Sequence, residues 1–154
     1  QPFLLVLDGI EDPANLGALI RTADAAGVHG VIIPRHRAAG LTAAVARASA
    51  GAIEHIPAAV VTNLVRALEE LKARGIWVAG ADPSGAQPYN RARLVPPLAV
   101  VMGAEGRGLS RLVREHCDLL VRLPMRGKVA SLNVSVAAGV LLFEVVRQME
   151  SGNG

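Results

Sequence analysis

Three stretches of this 154-residue chain carry side chains suited to chemistry. The first, Asp8-Gly-Ile-Glu-Asp-Pro-Ala-Asn-Leu-Gly-Ala-Leu-Ile-Arg, passes from an apolar run through a turn into a helical pattern and holds Asn15 and Arg21. Asn15 falls in the opening turn, where backbone N–H groups lack an intrahelical acceptor. Arg21 follows six residues later, near the opposite phase of the helix unless the helix starts late. A capped helix with a surface arginine is the plain alternative. The second stretch, Leu98-Ala-Val-Val-Met-Gly-Ala-Glu-Gly-Arg-Gly-Leu, sets Gly103, Gly106 and Gly108 around one carboxylate, Glu105. It has the form of a ligand loop, or of a tight turn needing glycine for positive φ. The third, Leu123-Pro-Met-Arg-Gly-Lys-Val-Ala-Ser-Leu-Asn-Val-Ser, makes a basic excursion and enters an apolar helix through Ser131 and Asn133. An amide at such a mouth is costly to leave unpaired, so Asn133 either caps local backbone or positions a ligand.

Other chemistries are not supported. The glycine loop lacks the Lys-Ser/Thr pair of a P-loop and misses the dinucleotide spacing, which argues against ATP and NAD. There is no Ser-His-acid set, no paired-carboxylate site and no Cys/His spacing suited to a metal. His116 and Cys117 are adjacent, and adjacent residues do not face one another, so a structural role is assigned to them, as to His29, His36 and His55.

The elements that must position these stretches are legible as an alternation. Phe3–Leu7, Gly30–Ile33, Ala52–Ile56, Ile76–Ala79, Leu98–Met102 and Leu119–Leu123 read as strands, most of them apolar throughout. Helical patterns start at Asp12-Pro13 and stop at Gly27, run from Asn63 to Arg74, and run from Leu132 to Gln148. The last is apolar on most sides and is expected to pack between other elements. The fold class is therefore α/β: a parallel sheet of about six strands with helices on both faces and ligands at the carboxyl ends of the strands. Asp82 to Pro97, rich in Pro, Gly and Arg, is kept within the domain as a long functional loop.

Composition bounds the rest. With 51% apolar and 19% charged residues the chain has the material for one compact domain. The longest apolar stretch, Val136 to Phe143, is far short of a membrane span of roughly 18 residues. One cysteine, Cys117, closes no internal disulfide, and a reducing cytoplasm fits. The chain opens on Gln1 with no leader, so an excised domain or processed fragment is expected. Residues 1–77 hold seven basic and seven acidic side chains, whereas 91–128 hold eight basic against three acidic, which points to nucleic acid ahead of membrane.

Taken together and in order, Asn15 with Arg21, MGAEGRGL at 102–109 and SLNVS at 131–135 resemble the three motifs of the SpoU, or TrmH, family. This family belongs to the SPOUT superfamily of S-adenosylmethionine-dependent RNA ribose 2′-O-methyltransferases. The likeness runs from Leu4 to Gln148. Ser49-Ala-Gly-Ala-Ile-Glu-His-Ile-Pro, followed by Val61-Thr-Asn-Leu, is similar to the branch that methylates a guanosine ribose in 23S ribosomal RNA. Transfer RNA as substrate, or a non-catalytic RNA-binding domain of the same fold, are the alternatives.

The resemblance implies a C-terminal deep trefoil knot, a homodimer with its active site completed across the interface, and no metal. It implies a methyl donor held between the ends of Val78–Ala81, Met102–Gly108 and Leu123–Leu132, with Ala79, Gly80, Met102, Gly103, Gly108, Leu123, Met125 and Leu132 in contact. Glycines would make room there for backbone to approach a flat adenine. Arg21 would hold the RNA phosphate and polarise the 2′-OH, since a guanidinium pKa above about 12 makes a poor resting base. Asn15, Glu105, Ser131 and Asn133 would fix the ribose, Arg21 and the cofactor loops. The resemblance also implies an N-terminal RNA-binding domain, which is not found before Leu4.

Overall fold

A computed structural model describes residues 1–152. In chain order the elements are β1 (Phe3–Asp8), α1 (Pro13–Ala25), β2 (Gly30–Pro34), α2 (Ala43–Ala48), β3 (Ala58–Val61), α3 (Leu64–Ala73), β4 (Trp77–Ala81), β5 (Gln87–Pro88), β6 (Leu98–Gly103), α4 (Arg111–Glu115), β7 (Leu119–Arg122) and α5 (Val134–Gly152). The sheet has seven strands in the order β3-β2-β1-β6-β4-β7-β5, and every pairing is parallel.

The apolar strands are buried on both faces. Along β1, Leu5 and Leu7 point into a core shared with Leu16, Ile20, Leu141 and Leu142, while Val6 points into the opposite core with Leu68, Val78 and Val101. Parallel register then aligns the strand ends: Asp8 pairs with Gly103, the last residue of β6. The chain leaves β1 toward β2 and β3 on one side, whereas β6 and β4 lie on the other. Such a reversal opens a crevice at the carboxyl ends of the strands.

Two expectations need correcting, and the sheet gains one short strand. Ala52–Ile56 is not a strand: Ala52–Glu54 forms a single 3-10 turn, and the strand is Ala58–Val61. Ala52 and Ile56 are both buried at a spacing of four, which is helical, whereas the true strand is a partly exposed edge with little apolar signal. The sheet has a seventh, two-residue strand, β5, inside the long segment 82–97, where Ala92 and Leu94 are buried. Gln148 of α5 pins that segment by accepting from the Leu94 N–H at 2.8 Å and donating to the Ala92 carbonyl at 2.9 Å. Finally, α5 does not pack on most sides within this chain. Val134, Ala138, Leu141, Leu142 and Val145 are buried, but Val136 and Phe143 are 53% and 49% exposed. The short helices α2 and α4 escape the sequence pattern because each buries a single apolar side chain, Val45 and Val113.

β4 meets the α4 side of the sheet closely. A Cβ at Gly80 would lie 2.7 Å from Cys117 Sγ and 2.8 Å from Leu109 Cδ1. Both neighbours are side-chain tips, so Gly80→Ala is expected to cost about 1–3 kcal/mol through overpacking rather than abolish folding, measured by urea denaturation. Burial, with Asp118 beside it, pushes the Cys117 thiol up to about 12. The native thiol therefore stays protonated at pH 8 and is expected to resist iodoacetamide until the chain is unfolded.

Candidate active site

The site begins where β1 and β6 end side by side. After Gly103 the chain folds back on itself: Arg107 and Gly108 both donate backbone N–H bonds to the Ala104 carbonyl, at 3.2 and 2.7 Å. Gly106 and Gly108 take φ of +82° and +68°, which other residues rarely adopt. The Asp8 carboxylate, at the end of β1, accepts the Ser110 N–H at 2.7 Å and fastens the exit of this loop. A Cβ at Gly103 would lie 2.2 Å from the Gly108 carbonyl oxygen. The space left by that glycine is therefore filled by the loop itself and not by a ligand, which corrects the expected reason for the glycine.

Two clefts flank the loop. The first, of about 490 Å³, lies between the loop, the residues after β4 and the segment leading to α5. Met102, Gly103, Gly108, Leu123, Met125 and Leu132 line it, together with Glu105 and Ser131. Ala79 and Gly80 lie outside its lining; the wall starts one residue later, at Ala81, because Ala79 is buried in the sheet and Gly80 packs toward α4. The second cleft, about 310 Å³, is lined by residues 9–12 and Asn15 on one side and by Ala104, Glu105 and Arg107 on the other. Glu105, Arg107, Ala104 and Val134 line both clefts.

Asn133 takes the capping alternative and adds a bond to the first motif. Its Oδ1 caps α5, accepting the Ser135 N–H at 2.9 Å and the Ser135 hydroxyl at 2.5 Å, while its Nδ2 donates to Asn15 Oδ1 at 3.1 Å. Because Asn15 Oδ1 is engaged, the Asn15 amide nitrogen remains as a donor at the second cleft. The two motifs, 118 residues apart, are thus joined by one hydrogen bond. Arg21 is not brought to this cluster within the chain. It sits on the exposed side of α1, about 9 Å further along the helix axis than Asn15, and lines neither cleft.

Known proteins share this fold. The model of the SpoU rRNA methylase family matches residues 2–143. The chain belongs to that family. YacO of Bacillus subtilis (strain 168), named for the TrmH family of tRNA and rRNA methyltransferases, is 60% identical over 96% of this chain and 59% of its own length. A 23S rRNA (guanosine-2′-O-)-methyltransferase, RlmB, of Pseudomonas putida is 56% identical over 97% of this chain and 60% of its own. The crystal structure of the SpoU methyltransferase AviRb from Streptomyces viridochromogenes, in complex with the cofactor AdoMet, superposes with a TM-score of 0.91. It is 33% identical and covers 97% of this chain and 58% of that one. The chain thus spans about three-fifths of the length of the curated relatives it matches.

As a member of the SpoU family the chain places its first and second motifs by strand register and its third by the Asn133 bond. Missed from the sequence were Asp82, Ser84 and Arg114, which also line the first cleft, and the shared position of Arg107. Asp82-Pro-Ser-Gly directly after a buried strand was an available sign: Asp and Ser in such a turn bond their own backbone, and the Asp82 carboxylate accepts the Ser84 N–H at 2.8 Å. Among the described residues no cluster of three or more His, Cys, Asp or Glu side chains is suited to holding a metal ion. Loss of the cap in Asn133→Ala is expected to lower stability by about 1 kcal/mol in urea denaturation, whereas Asn133→Asp keeps an acceptor at the cap but loses the donor to Asn15 and is expected to fall between Asn133→Ala and wild type.

Proposed function

We propose that this chain is the catalytic part of an RNA 2′-O-methyltransferase that moves a methyl group from S-adenosylmethionine to the ribose of a guanosine in 23S ribosomal RNA. The observation that carries this is the pair of adjoining clefts sharing one wall, the 104–107 loop with Glu105. The first suits the donor: Met102, Leu123, Met125 and Leu132 offer apolar surface for a flat ring, strand ends offer free backbone groups, and Asp82, Ser84 and Arg114 supply the few polar groups such pockets use. The second, with the Asn15 amide and Arg107, suits the sugar. The AdoMet complex of AviRb and the name of the Pseudomonas relative support the cofactor and the guanosine. The name of the Bacillus relative keeps transfer RNA as the second reading.

When bound, the donor supplies an electrophilic methyl on a sulfonium, which the ribose oxygen displaces in line. The protein's part is chiefly placement, which contributes of order ~7 kcal/mol at best when two reactants are held in line. Asn15, its amide fixed by Asn133, donates to the sugar; Glu105 and Ser131 hold the two ligands edge to edge. Exposed Arg107, Arg126 and Lys128 around the clefts meet the RNA phosphates.

Arg21 completes the site from a second copy, holding the phosphate beside the 2′-OH and polarising that hydroxyl. Supporting this are its exposed guanidinium, which lines neither cleft of its own chain, and the open apolar stripe of Val136 and Phe143 on α5, a helix that packs on α1. The threaded C-terminal segment fits the insertion of β7 between β4 and β5, both earlier in the chain, before α5 returns to α1. A cytoplasmic location suits a single reduced cysteine and an RNA substrate.

Subunit mixing tests the reading. Arg21→Ala and Glu105→Gln chains are each expected to lose methyl transfer to 23S RNA at least tenfold. Mixed and allowed to exchange, they are expected to recover up to about a quarter of wild-type activity, since half the pairs are mixed and each holds one intact site. No recovery would place Arg21 in its own chain's site, and undiminished activity in Arg21→Ala would remove it from the mechanism.

A further inference from the structure

Asp82 is a buried carboxylate with an unused oxygen. Its backbone N–H is tied to the Val121 carbonyl at 2.9 Å, and its Oδ1 accepts both the N–H and the hydroxyl of Ser84. The side chain is only 6% exposed, and Oδ2 stands 3.6 Å from Arg114 Nη1, too far for a hydrogen bond. No buried side-chain nitrogen or oxygen among the described residues lacks a partner. Oδ2 is therefore not sealed in protein, and its remaining opening is toward the first cleft, which Asp82 lines. Arg114 lines the same cleft from α4, 41% exposed, with Asp82 as its one ionic partner among the described residues. An acceptor without a hydrogen bond and a cation with one ionic partner thus stand side by side on the wall of the first cleft.

Resting on the proposed function, we propose that Asp82 and Arg114 read the α-amino-acid end of the methyl donor, Asp82 taking its ammonium and Arg114 its carboxylate. An α-amino-acid zwitterion carries a donor cation and an acceptor anion on the same carbon, the complement of a carboxylate and a guanidinium 3.6 Å apart. A ribose diol would use the carboxylate alone and leave the guanidinium without a task. The Ser84 bonds hold Asp82 in one rotamer, so the pair is set before the ligand arrives.

Calorimetric titration of the chain with two ligands tests this: S-adenosylhomocysteine, and 5′-methylthioadenosine, which keeps the adenine, ribose and thioether but lacks the amino-acid tail. Arg114→Gln and Asp82→Asn are expected to weaken S-adenosylhomocysteine about tenfold or more, the size of a lost charge-assisted bond, and to leave 5′-methylthioadenosine within about twofold. Arg114→Lys should fall between wild type and Arg114→Gln. Equal weakening of both ligands would put the pair on the ribose, and no change in either would leave it structural; each result overturns the inference while sparing the function. A wild-type chain that binds neither ligand would overturn the function itself. Arg114 is partly exposed on a short helix, so Arg114→Gln decides the matter even if Asp82→Asn disturbs its turn.

Discussion

The contact between Gly103 and Gly108 is the constraint on which the site depends. Backbone lies where a side chain would stand, so the loop after β6 closes within a few residues and projects Glu105 and Arg107 from a narrow tip. A wider loop would fill one cleft or the other; this one serves as a thin partition with a ligand space on each side. The Asp8 carboxylate secures it from the neighbouring strand, which couples the geometry of the partition to the register of β1 and β6. The proposed methyl transfer needs two adjoining spaces, because reacting atoms must come within about 3–3.5 Å of one another.

Polar groups near the site are used economically. Asn133 satisfies the open end of α5 and orients Asn15 with one side chain. Asp82 closes its own turn through one oxygen and offers the other to the first cleft. In each case a local structural requirement fixes the rotamer, and the side chain's remaining polar atom is held in place as a consequence. Preorganisation of this kind lowers the entropy lost when a ligand is ordered.

The molecule also separates stability from function along α5. The helix contributes its buried stripe to the larger core and carries a buried Glu144, bonded by Arg147 at 2.7 and 3.0 Å. Its opposite stripe, with Val136 and Phe143, remains open beside the helix that bears Arg21. The proposed dimer would cover that stripe and bring the arginine to a cleft in one step.

Local sequence determined a good deal. The continuous apolar runs gave six strand assignments, of which five stand, because strands buried on both faces leave a strong signal; Ala58–Val61, an exposed edge, left almost none. The helix cap at Asp12 was legible because a side-chain oxygen bonds backbone two residues on. Of the candidate residues picked from the chain, Asn15, Glu105 and Ser131 line a cleft and Asn133 bonds Asn15. What only the tertiary structure decided was which atoms meet: the Asn15 to Asn133 bond, the reason for Gly103, the pairing of Asp82 with Arg114 and the distance of Arg21 from both clefts. These depend on strand order and on contacts between residues far apart in the chain, and periodicity reports only which face of its own element a side chain occupies.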